Sequence, residues 1–355
     1  MTNLTRARKL LCHINLAQGF RGGERQTQLL IEQLATRGYR QRLVARRGGE
    51  LGPRCQGIEG LEVFETGSNP LSAVWSLRGS DLLHAHEARA IYACWLVDRL
   101  PRIPWLLTRR VDNPFRKSPL RDLAYARANA LVAVSRAIAR QIDSTYPGKR
   151  CAVVADAHAN FAIGHQVAEE LRNRYAGKTV VGNIGALDHS CKGQGTIIEA
   201  ARIARDRHPE LHFVLLGDGC DAEKFRAAAV DLDNIEFTGF VNEVDDWLSV
   251  FDVFVFPSLH EGLGSTLLDA MSFGLPIVAT NVGGIPDIVT HGVNGLLIEP
   301  ERPEALLAAI LRINQDESLR SGMRRANLAQ ADAYSPAAMA DRYEVIYHKL
   351  LKSRD

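Results

Sequence analysis

The 355-residue sequence has few of the features that mark several common protein classes. Its six cysteines form no C-x-x-C pair and no metal-finger spacing, so we expect reduced thiols and a cytoplasmic protein rather than a disulfide scaffold. No apolar run reaches the roughly 18 to 20 residues of a membrane-spanning helix. Aromatic residues make up only 7% of the chain and are not interleaved with the basic ones, which disfavours nucleic-acid binding.

The small net charge of +2 conceals an uneven distribution along the chain. Residues 1–165 contain 25 Lys and Arg against 13 Asp and Glu, a balance of +12, whereas residues 166–355 contain 18 against 28, a balance of −10. A basic half predicts an anionic partner, such as a phosphorylated glycolipid or a membrane surface. The alternative is a solvated, arginine-rich surface that meets only the acidic half.

Short apolar runs alternate with amphipathic, helix-length segments in both halves, which predicts two parallel sheets covered by helices. Residues 160–178 are predicted to link the halves, since they contain no strand of their own. The predicted strands are 9–15, 41–45, 82–84, 105–108, 130–134 and 152–154 in the first half, and 179–184, 212–216, 235–238, 253–255 and 277–279 in the second. Ligands of such sheets bind beyond the carboxyl ends of the strands, so the loops there are the candidate sites.

A glycine-rich turn follows the first strand and opens a helix. Gly22 and Gly23 let the backbone approach a ligand, and the free amides of a helix start favour a phosphate. The spacing is not G-x-G-x-x-G, so a nicotinamide cofactor is not predicted. A plain tight turn explains these glycines equally well.

Two segments of the second half contain candidate catalytic groups. Lys192 follows the first strand of that half, where an ammonium group could neutralise a diphosphate, although a solvated surface lysine is the ordinary alternative. Glu261 and Asp269 flank a glycine loop, Gly262 to Gly264, and the start of a helix. Both carboxylates can face the strand ends, where they would accept hydrogen bonds from sugar hydroxyls. A merely structural loop would explain the glycines but not two inward acids.

Taken together, these segments resemble the family-4 retaining glycosyltransferases with the GT-B fold. The motifs that carry the resemblance are Gly22-Gly23-Glu24-Arg25, His84-Ala85-His86, Ala133-Val134-Ser135, Lys192-Gly193, Gly239-Phe240-Val241, the block from Glu261 to Asp269, Gly274-Leu275-Pro276, Gly283-Gly284-Ile285-Pro286-Asp287 and Asn294-Gly295-Leu296-Leu297. The resemblance implies an α/β protein with two doubly wound, Rossmann-like domains facing a central cleft. It also implies transfer of a sugar from a nucleoside-diphosphate sugar, with retained anomeric configuration, no essential metal and no cofactor.

The resemblance assigns each half a role. Residues 1–165 would form the acceptor-side domain, 166–335 the donor-binding domain, and 336–355 a helix that crosses back to the first domain. It implies Lys192 and Glu261 as catalytic residues. His86, near a predicted strand end, is a third catalytic candidate, and a hydrogen-bonded structural histidine is the alternative. The donor-binding residues that it implies are Gly22, Gly23, Gly239, Phe240, Val241, Gly262, Leu263, Gly264 and Asp269. Ala186 stands where the family usually has arginine, and Asp269 where it usually has glutamate.

A cluster of arginines follows the fourth predicted strand. Arg109, Arg110 and Arg116 are candidates for binding an anionic acceptor, because guanidinium groups suit phosphate and carboxylate. The alternative is a structural network in which they pair with Asp112 and Asp122. No His, Asp or Glu spacing is typical of a metal site.

The sequence therefore predicts a glycosyltransferase that favours a UDP-sugar donor and an anionic glycolipid or lipopolysaccharide-core acceptor. Its predicted location is the cytoplasm, or the cytoplasmic face of the inner membrane through a peripheral contact. A sugar-nucleotide epimerase of the same architecture and a noncatalytic nucleotide-sugar-binding subunit remain alternatives.

Overall fold

A computed structural model describes residues 9–97, 103–115, 118–149, 151–159, 161 and 165–352. The chain divides into two compact units. The first unit comprises Met1–Ala159 and Tyr334–Asp355, and the second comprises Asn160–Ala333. Each unit is an α/β domain built on one parallel sheet, as the alternation of apolar runs and amphipathic segments predicts.

The first unit contains a seven-stranded sheet in the order β3-β2-β1-β4-β5-β6-β7. Its strands are β1 (Leu10–Asn15), β2 (Arg40–Arg46), β3 (Leu61–Thr66), β4 (Leu82–Ala85), β5 (Trp105–Arg109), β6 (Ala130–Ala133) and β7 (Cys151–Val153). The chain builds outward from β1 to β3, then returns to pair β4 with the other side of β1. The order therefore reverses between β1 and β4, and a crevice at such a reversal point is where doubly wound sheets bind ligands.

Helices cover this sheet, and the last one comes from the end of the chain. They are α1 (Gly22–Thr36), α2 (Leu51–Cys55), α3 (Pro70–Ala73), α4 (Ala90–Val97), α5 (Pro119–Arg127), α6 (Arg136–Thr145) and the terminal helix (Pro336–Lys352). Met339, Tyr343 and Tyr347 of the terminal helix pack into one apolar core with Leu11 and Leu106. The terminal helix is thus an integral part of the first unit.

The second unit repeats this topology with six strands in the order β10-β9-β8-β11-β12-β13. They are β8 (Thr179–Ile184), β9 (Leu211–Leu216), β10 (Ile235–Gly239), β11 (Val253–Phe256), β12 (Ile277–Thr280) and β13 (Gly295–Ile298). The helices are α7 (His165–Arg174), α8 (His189–Lys192), α9 (Gln194–Ala204), α10 (Ala222–Ala228), α11 (Val244–Val250), α12 (Ser265–Ser272), α13 (Ile285–Ile288), α14 (Pro303–Gln315) and α15 (Glu317–Ala331), so the terminal helix is α16. The reversal point lies between β8 and β11.

Two strands were missed by the sequence prediction, β3 and β13. Each forms an edge of its sheet. Most of β3 is partly or fully exposed, and its sequence LEVFET mixes polar with apolar residues, so it lacks the apolar run of a central strand. Strand β13 is four residues long, as are β11 and β12, which the sequence did predict, and it differs from them in pairing with a neighbour on one side only. The segment predicted as a linker contains helix α7.

No helix within the described residues has both the length and the apolar character needed to cross a bilayer.

Candidate active site

The loops after β8 and β11 meet at the reversal point of the second sheet. The backbone amides of Leu259 and His260, after β11, both donate to the carbonyl oxygen of Cys191, which precedes Lys192 in α8. Gly193 then has a φ of 65°, and a β-carbon there would lie 2.0 Å from the carbonyl oxygen of Pro257. Only glycine allows this close approach, so Gly193 sets the position of Lys192 beside the β11 loop.

Lys192 and Glu261 form an ion pair at this point. The Lys192 Nζ donates to Glu261 Oε2 across 2.6 Å, with side-chain exposures of 28% and 15%. The Lys192 Nζ also lies 5.4 Å from the ring centroid of Phe256, the last residue of β11. Two predicted catalytic residues, 69 positions apart in sequence, are therefore in contact. Both remain reachable by a ligand, because neither side chain is fully buried.

The glycine loop 262–264 connects this pair to helix α12. Gly264 precedes the helix with a φ of 90°, and among the described residues no side chain caps the helix start. The first amides of α12 thus lack a side-chain acceptor, a geometry that suits an anion or a hydroxyl oxygen. Leu263 points into the core, so it can offer a ligand only its backbone. Asp269 is buried within α12, at 7% exposure.

The predicted base-binding segment lies at the end of β10. Gly239 is the last residue of that strand, has a φ of 74°, and follows an irregularity in the pairing with β9. Phe240 is 73% exposed, and Val241 is partly exposed. An exposed aromatic ring beside a left-handed glycine can stack on a flat ligand, although it can equally face solvent.

In the first unit, Gly22 and Gly23 are the first two residues of α1. Their amides have no partner within the helix, as at any helix start. The carboxylate of Glu24 accepts a hydrogen bond from the backbone amide of Arg21 at 3.0 Å. A β-carbon at Gly23 would lie 3.7 Å from Cδ of Arg110, so the glycine turn and this arginine are adjacent.

Three histidines meet at the reversal point of the first sheet, a cluster that the sequence analysis did not predict. His13 on β1 is the register partner of His84 on β4, and His86 lies two residues further along. The rings of His84 and His86 lie 3.7 Å apart between centroids, tilted by 32°. All three side chains are buried. The pattern H-x-H near the end of one strand, with a histidine on the neighbouring strand, was the signal in the sequence, but only the register reveals it.

Hydrogen bonds connect the cluster to the rest of the unit. His13 Nδ1 lies 3.0 Å from His86 Nε2, and His13 Nε2 lies 3.1 Å from Oε1 of Gln41. His84 contacts the hydroxyls of Tyr347 at 2.7 Å and Thr108 at 2.8 Å. Helix α16 therefore contributes directly to the polar interior of the first unit.

The electrostatics of the cluster favour uncharged rings. Burial lowers the pKa of His13 to about 4. Burial, then the neighbouring histidines and Arg110, lower the pKa values of His84 and His86 well below their usual range. Neutral rings are what metal binding requires, and the ligand atoms lie within 4.8 Å of one another. However, all ring nitrogens but His86 Nδ1 have protein partners, so the arrangement is that of a hydrogen-bonded network.

The predicted acceptor-binding arginines have different environments. Arg110 Nε donates to Asp156 across 3.0 Å, with side-chain exposures of 10% and 9%, so its charge is already compensated. Arg109 stacks on the ring of Phe115 at 3.9 Å and donates to the carbonyl oxygen of Asn113. Neither of these contacts involves the Asp112 or Asp122 carboxylates of the structural alternative. Arg116 lies outside the described residues.

Sequence comparisons match each unit to a glycosyltransferase family. Residues 21–183 match the family described as Glycosyl transferase 4-like domain, and residues 178–316 match Glycosyl transferases group 1. The chain is 30% identical, over 47% of its length, to the 2-deoxystreptamine N-acetyl-D-glucosaminyltransferase of Niallia circulans. It is 33% identical, over 43% of its length, to the lipopolysaccharide core biosynthesis glycosyltransferase LpsE of Rhizobium meliloti. These alignments span 44% and 45% of the two relatives, less than half of each.

The fold has solved counterparts. The structure of Anabaena HepE in complex with UDP and glucose superposes with a TM-score of 0.83 over 96% of this chain and 100% of that one, at 20% identity. At this identity the likeness concerns the fold alone, and together with the two doubly wound sheets it defines the fold class as GT-B. Within that class, the two adjoining family matches place the protein plainly: the chain belongs to the family-4 glycosyltransferases.

Proposed function

We propose that the protein transfers a sugar from a nucleoside-diphosphate sugar, with UDP as the favoured nucleotide, to an anionic glycolipid or lipopolysaccharide-core acceptor. The observation that carries the proposal is the ion pair of Lys192 and Glu261 beside the uncapped start of α12. A diphosphate leaving group gains negative charge as the glycosidic bond breaks. An ammonium group and helix amides held in place stabilise that charge more in the transition state than in the ground state.

In this proposal, different residues of the second unit bind different parts of the donor. Lys192 and the amides of Gly262 to Gly264 meet the diphosphate and sugar, Glu261 and Asp269 accept hydrogen bonds from hydroxyls, and Gly239 to Val241 meet the base. Gly22 and Gly23 would add backbone amides from the first unit. We further propose retention of anomeric configuration and a reaction without an essential metal, in keeping with the family resemblance. UDP in the HepE structure supports the choice of nucleotide.

The proposed acceptor follows from charge and from one relative. The excess of basic residues in positions 1–165 supports an anionic molecule, and LpsE acts in lipopolysaccharide core biosynthesis. Arg109 is the better candidate for the anion, because Asp156 already compensates Arg110. Trp75 and Leu71 are 71% and 58% exposed, and Arg78 stacks on Trp75 at 4.0 Å, a combination that suits a peripheral contact with a cytoplasmic membrane face.

The first test compares thermal unfolding with UDP, GDP and ADP. A nucleotide present at a hundred times its dissociation constant should stabilise the protein by about 2.7 kcal/mol, and we expect this from UDP. Release of UDP from a UDP-sugar should then depend on a phosphorylated glycolipid acceptor.

The same experiment separates the alternatives. Conversion of a UDP-sugar to its epimer without any acceptor would indicate an epimerase. Binding of UDP without turnover in any acceptor mixture would indicate a noncatalytic binding subunit. Both outcomes contradict the proposed transfer.

A further inference from the structure

The hydrogen bonds of Gln41 determine which ring nitrogen carries the proton in His13 and, through His13, in His86. The side-chain amide of Gln41 donates from Nε2 to the carbonyl oxygen of Ile31 at 2.9 Å, which orients its Oε1 toward His13. An amide oxygen can only accept. His13 therefore carries its proton on Nε2, the nitrogen that lies 3.1 Å from Gln41 Oε1.

The next step follows from the charge of His13. Because burial keeps this ring neutral, a proton on Nε2 leaves a lone pair on Nδ1. His86 Nε2 lies 3.0 Å from that lone pair and must donate to it. His86 is likewise neutral, so its Nδ1 is left as an acceptor.

This acceptor has no partner among the described residues. His86 is 3% exposed, and its Nδ1 is buried without a hydrogen bond. Arg110 contacts the backbone of the same residue, because its Nη1 donates to the carbonyl oxygen of His86 at 3.3 Å, and Arg110 Nη2 is likewise buried without a hydrogen-bond partner among the described residues. A buried acceptor and a buried donor, each unsatisfied, each carry a free-energy penalty until a partner is bound.

A hydroxyl group satisfies such a pair, because its oxygen accepts one hydrogen bond and its proton donates another. An ionised phosphate has no proton for His86 Nδ1, and the Arg110 charge is already balanced by Asp156. A divalent cation is disfavoured by the nearby guanidinium and by the protein partners of the other ring nitrogens.

We propose that Gln41 and His13 are positioning residues, which hold His86 in the tautomer whose Nδ1 accepts a hydrogen bond, so that His86 and Arg110 together bind one sugar hydroxyl. Only the identity of the ligand as a sugar rests on the proposed function. The tautomer depends on the hydrogen bonds of this unit alone.

The decisive measurement is long-range proton–nitrogen NMR of the full chain labelled with ¹⁵N-histidine. We expect His13 and His86 both to be protonated on Nε2, with His86 Nδ1 giving the signal of an unprotonated nitrogen. A wild-type spectrum with a proton on His86 Nδ1 overturns the proposal, as does stoichiometric Zn²⁺ that shifts the nitrogens of all three rings.

The variant Gln41→Met keeps the side-chain length and removes the acceptor that orients His13. We expect a new population of His86 protonated on Nδ1 and a loss of kcat of at least tenfold, the order seen when the partner that orients a metal-binding histidine is removed (about 10- to 100-fold). The dissociation constant for UDP should stay unchanged. A spectrum identical to wild type would overturn the proposed role of Gln41.

The matched control is Thr108→Val, which removes a hydroxyl from the same cluster. The Thr108 hydroxyl contacts His84 and does not belong to the Gln41–His13–His86 chain. This change should leave the His86 tautomer as it is. If Gln41→Met does not fold, the wild-type spectrum still decides the direction of the chain.

The source of the hydroxyl is tested by ligand addition. A shift of His86 Nδ1 with UDP-glucose but not with UDP identifies a donor hydroxyl, and a shift that appears only in the full transfer mixture identifies an acceptor hydroxyl. Both support the proposal, and an Nδ1 signal that moves in neither contradicts hydroxyl binding. If no transfer is found with any acceptor while the tautomer is as expected, the proposed function fails and the tautomer assignment stands.

Discussion

At the scale of single residues, the Lys192–Glu261 ion pair is partly exposed. Its contribution to sugar transfer can therefore be measured separately from its contribution to folding stability. An ion pair of this kind contributes about 0 to 1 kcal/mol to folding, because water already solvates both partners. The two groups are proposed to stabilise the transition state, where the loss of one stabilising donor typically costs about 100- to 1,000-fold in rate.

We therefore expect Lys192→Ala and Glu261→Ala each to lower sugar transfer by about 100-fold or more while the free energy of unfolding changes by less than about 1 kcal/mol. Steady-state release of UDP and urea denaturation are the measurements. Lys178→Ala is the control, since this lysine just precedes β8, at the opposite end of the strand from Lys192, and binds the Pro209 carbonyl oxygen. Transfer at the wild-type rate in both site variants would contradict the assignment.

At the scale of elements, the junction of α8 and α9 depends on one glycine. In Gly193→Ala, the alanine would have a φ of 65°, and its β-carbon would lie 2.0 Å from the carbonyl oxygen of Pro257. We expect it to destabilise the second unit by more than about 2 kcal/mol, since a left-handed conformation alone costs an alanine about 1 to 2 kcal/mol.

Gly177→Ala separates the two causes. Gly177 has a φ of 77° and nothing within 4 Å of the β-carbon position, so this change should show only the conformational cost. Urea denaturation of both variants provides the comparison. Equal losses of stability would mean that the contact with Pro257 does not constrain the junction.

Helix α16 makes the integrity of the first unit depend on the far end of the chain. Met339 is 1% exposed in the core, whereas Val345 on the same helix is 69% exposed. We expect Met339→Ala to lower the free energy of unfolding of the first unit by about 2 to 5 kcal/mol and Val345→Ala to lower it by less than about 0.5 kcal/mol. Hydrogen exchange resolved by peptide measures this directly in β1 and β4. Similar protection in the two variants would mean that α16 contributes no core to the first unit.

At the scale of the whole molecule, the buried histidines make stability depend on pH. The pKa of His13 is about 4 in the folded chain against about 6.5 when unfolded, and burial also lowers the pKa values of His84 and His86. As the pH falls below 6.5, the unfolded chain binds protons that the folded chain does not, so the folded state loses stability. Each histidine contributes up to about 1.4 kcal/mol per pH unit in this window.

We expect the free energy of unfolding to fall between pH 7 and pH 4, and the slope to become shallower in His13→Asn. His260→Asn is the control, because His260 is an exposed histidine outside the buried cluster. Urea denaturation at a series of pH values gives the slope. A curve that is flat down to pH 4 would mean that the three rings are not kept neutral.

The predictable part of the fold came from patterns that are local in sequence. Central strands such as β11 (VFVF) and β12 (IVAT) are buried on both faces, so they appear as largely apolar runs, and the helix between them requires parallel pairing. The edge strand β3 has no such run because one side of it faces solvent, and it was missed for that reason. Lys192 and the loop from Glu261 could be chosen as candidates from the sequence because each follows a strand in a recognisable motif.

By itself, the sequence determined two parallel-sheet units, the loops that carry polar groups and the family, because these depend on hydrophobic periodicity and on short contiguous motifs. The tertiary structure decided which groups meet. The strand register places His13 beside His84, and Arg110 forms an ion pair with Asp156. Such contacts join residues far apart in the chain, and their hydrogen-bond directions, like that of Gln41 toward His13, follow from burial and geometry rather than from residue type.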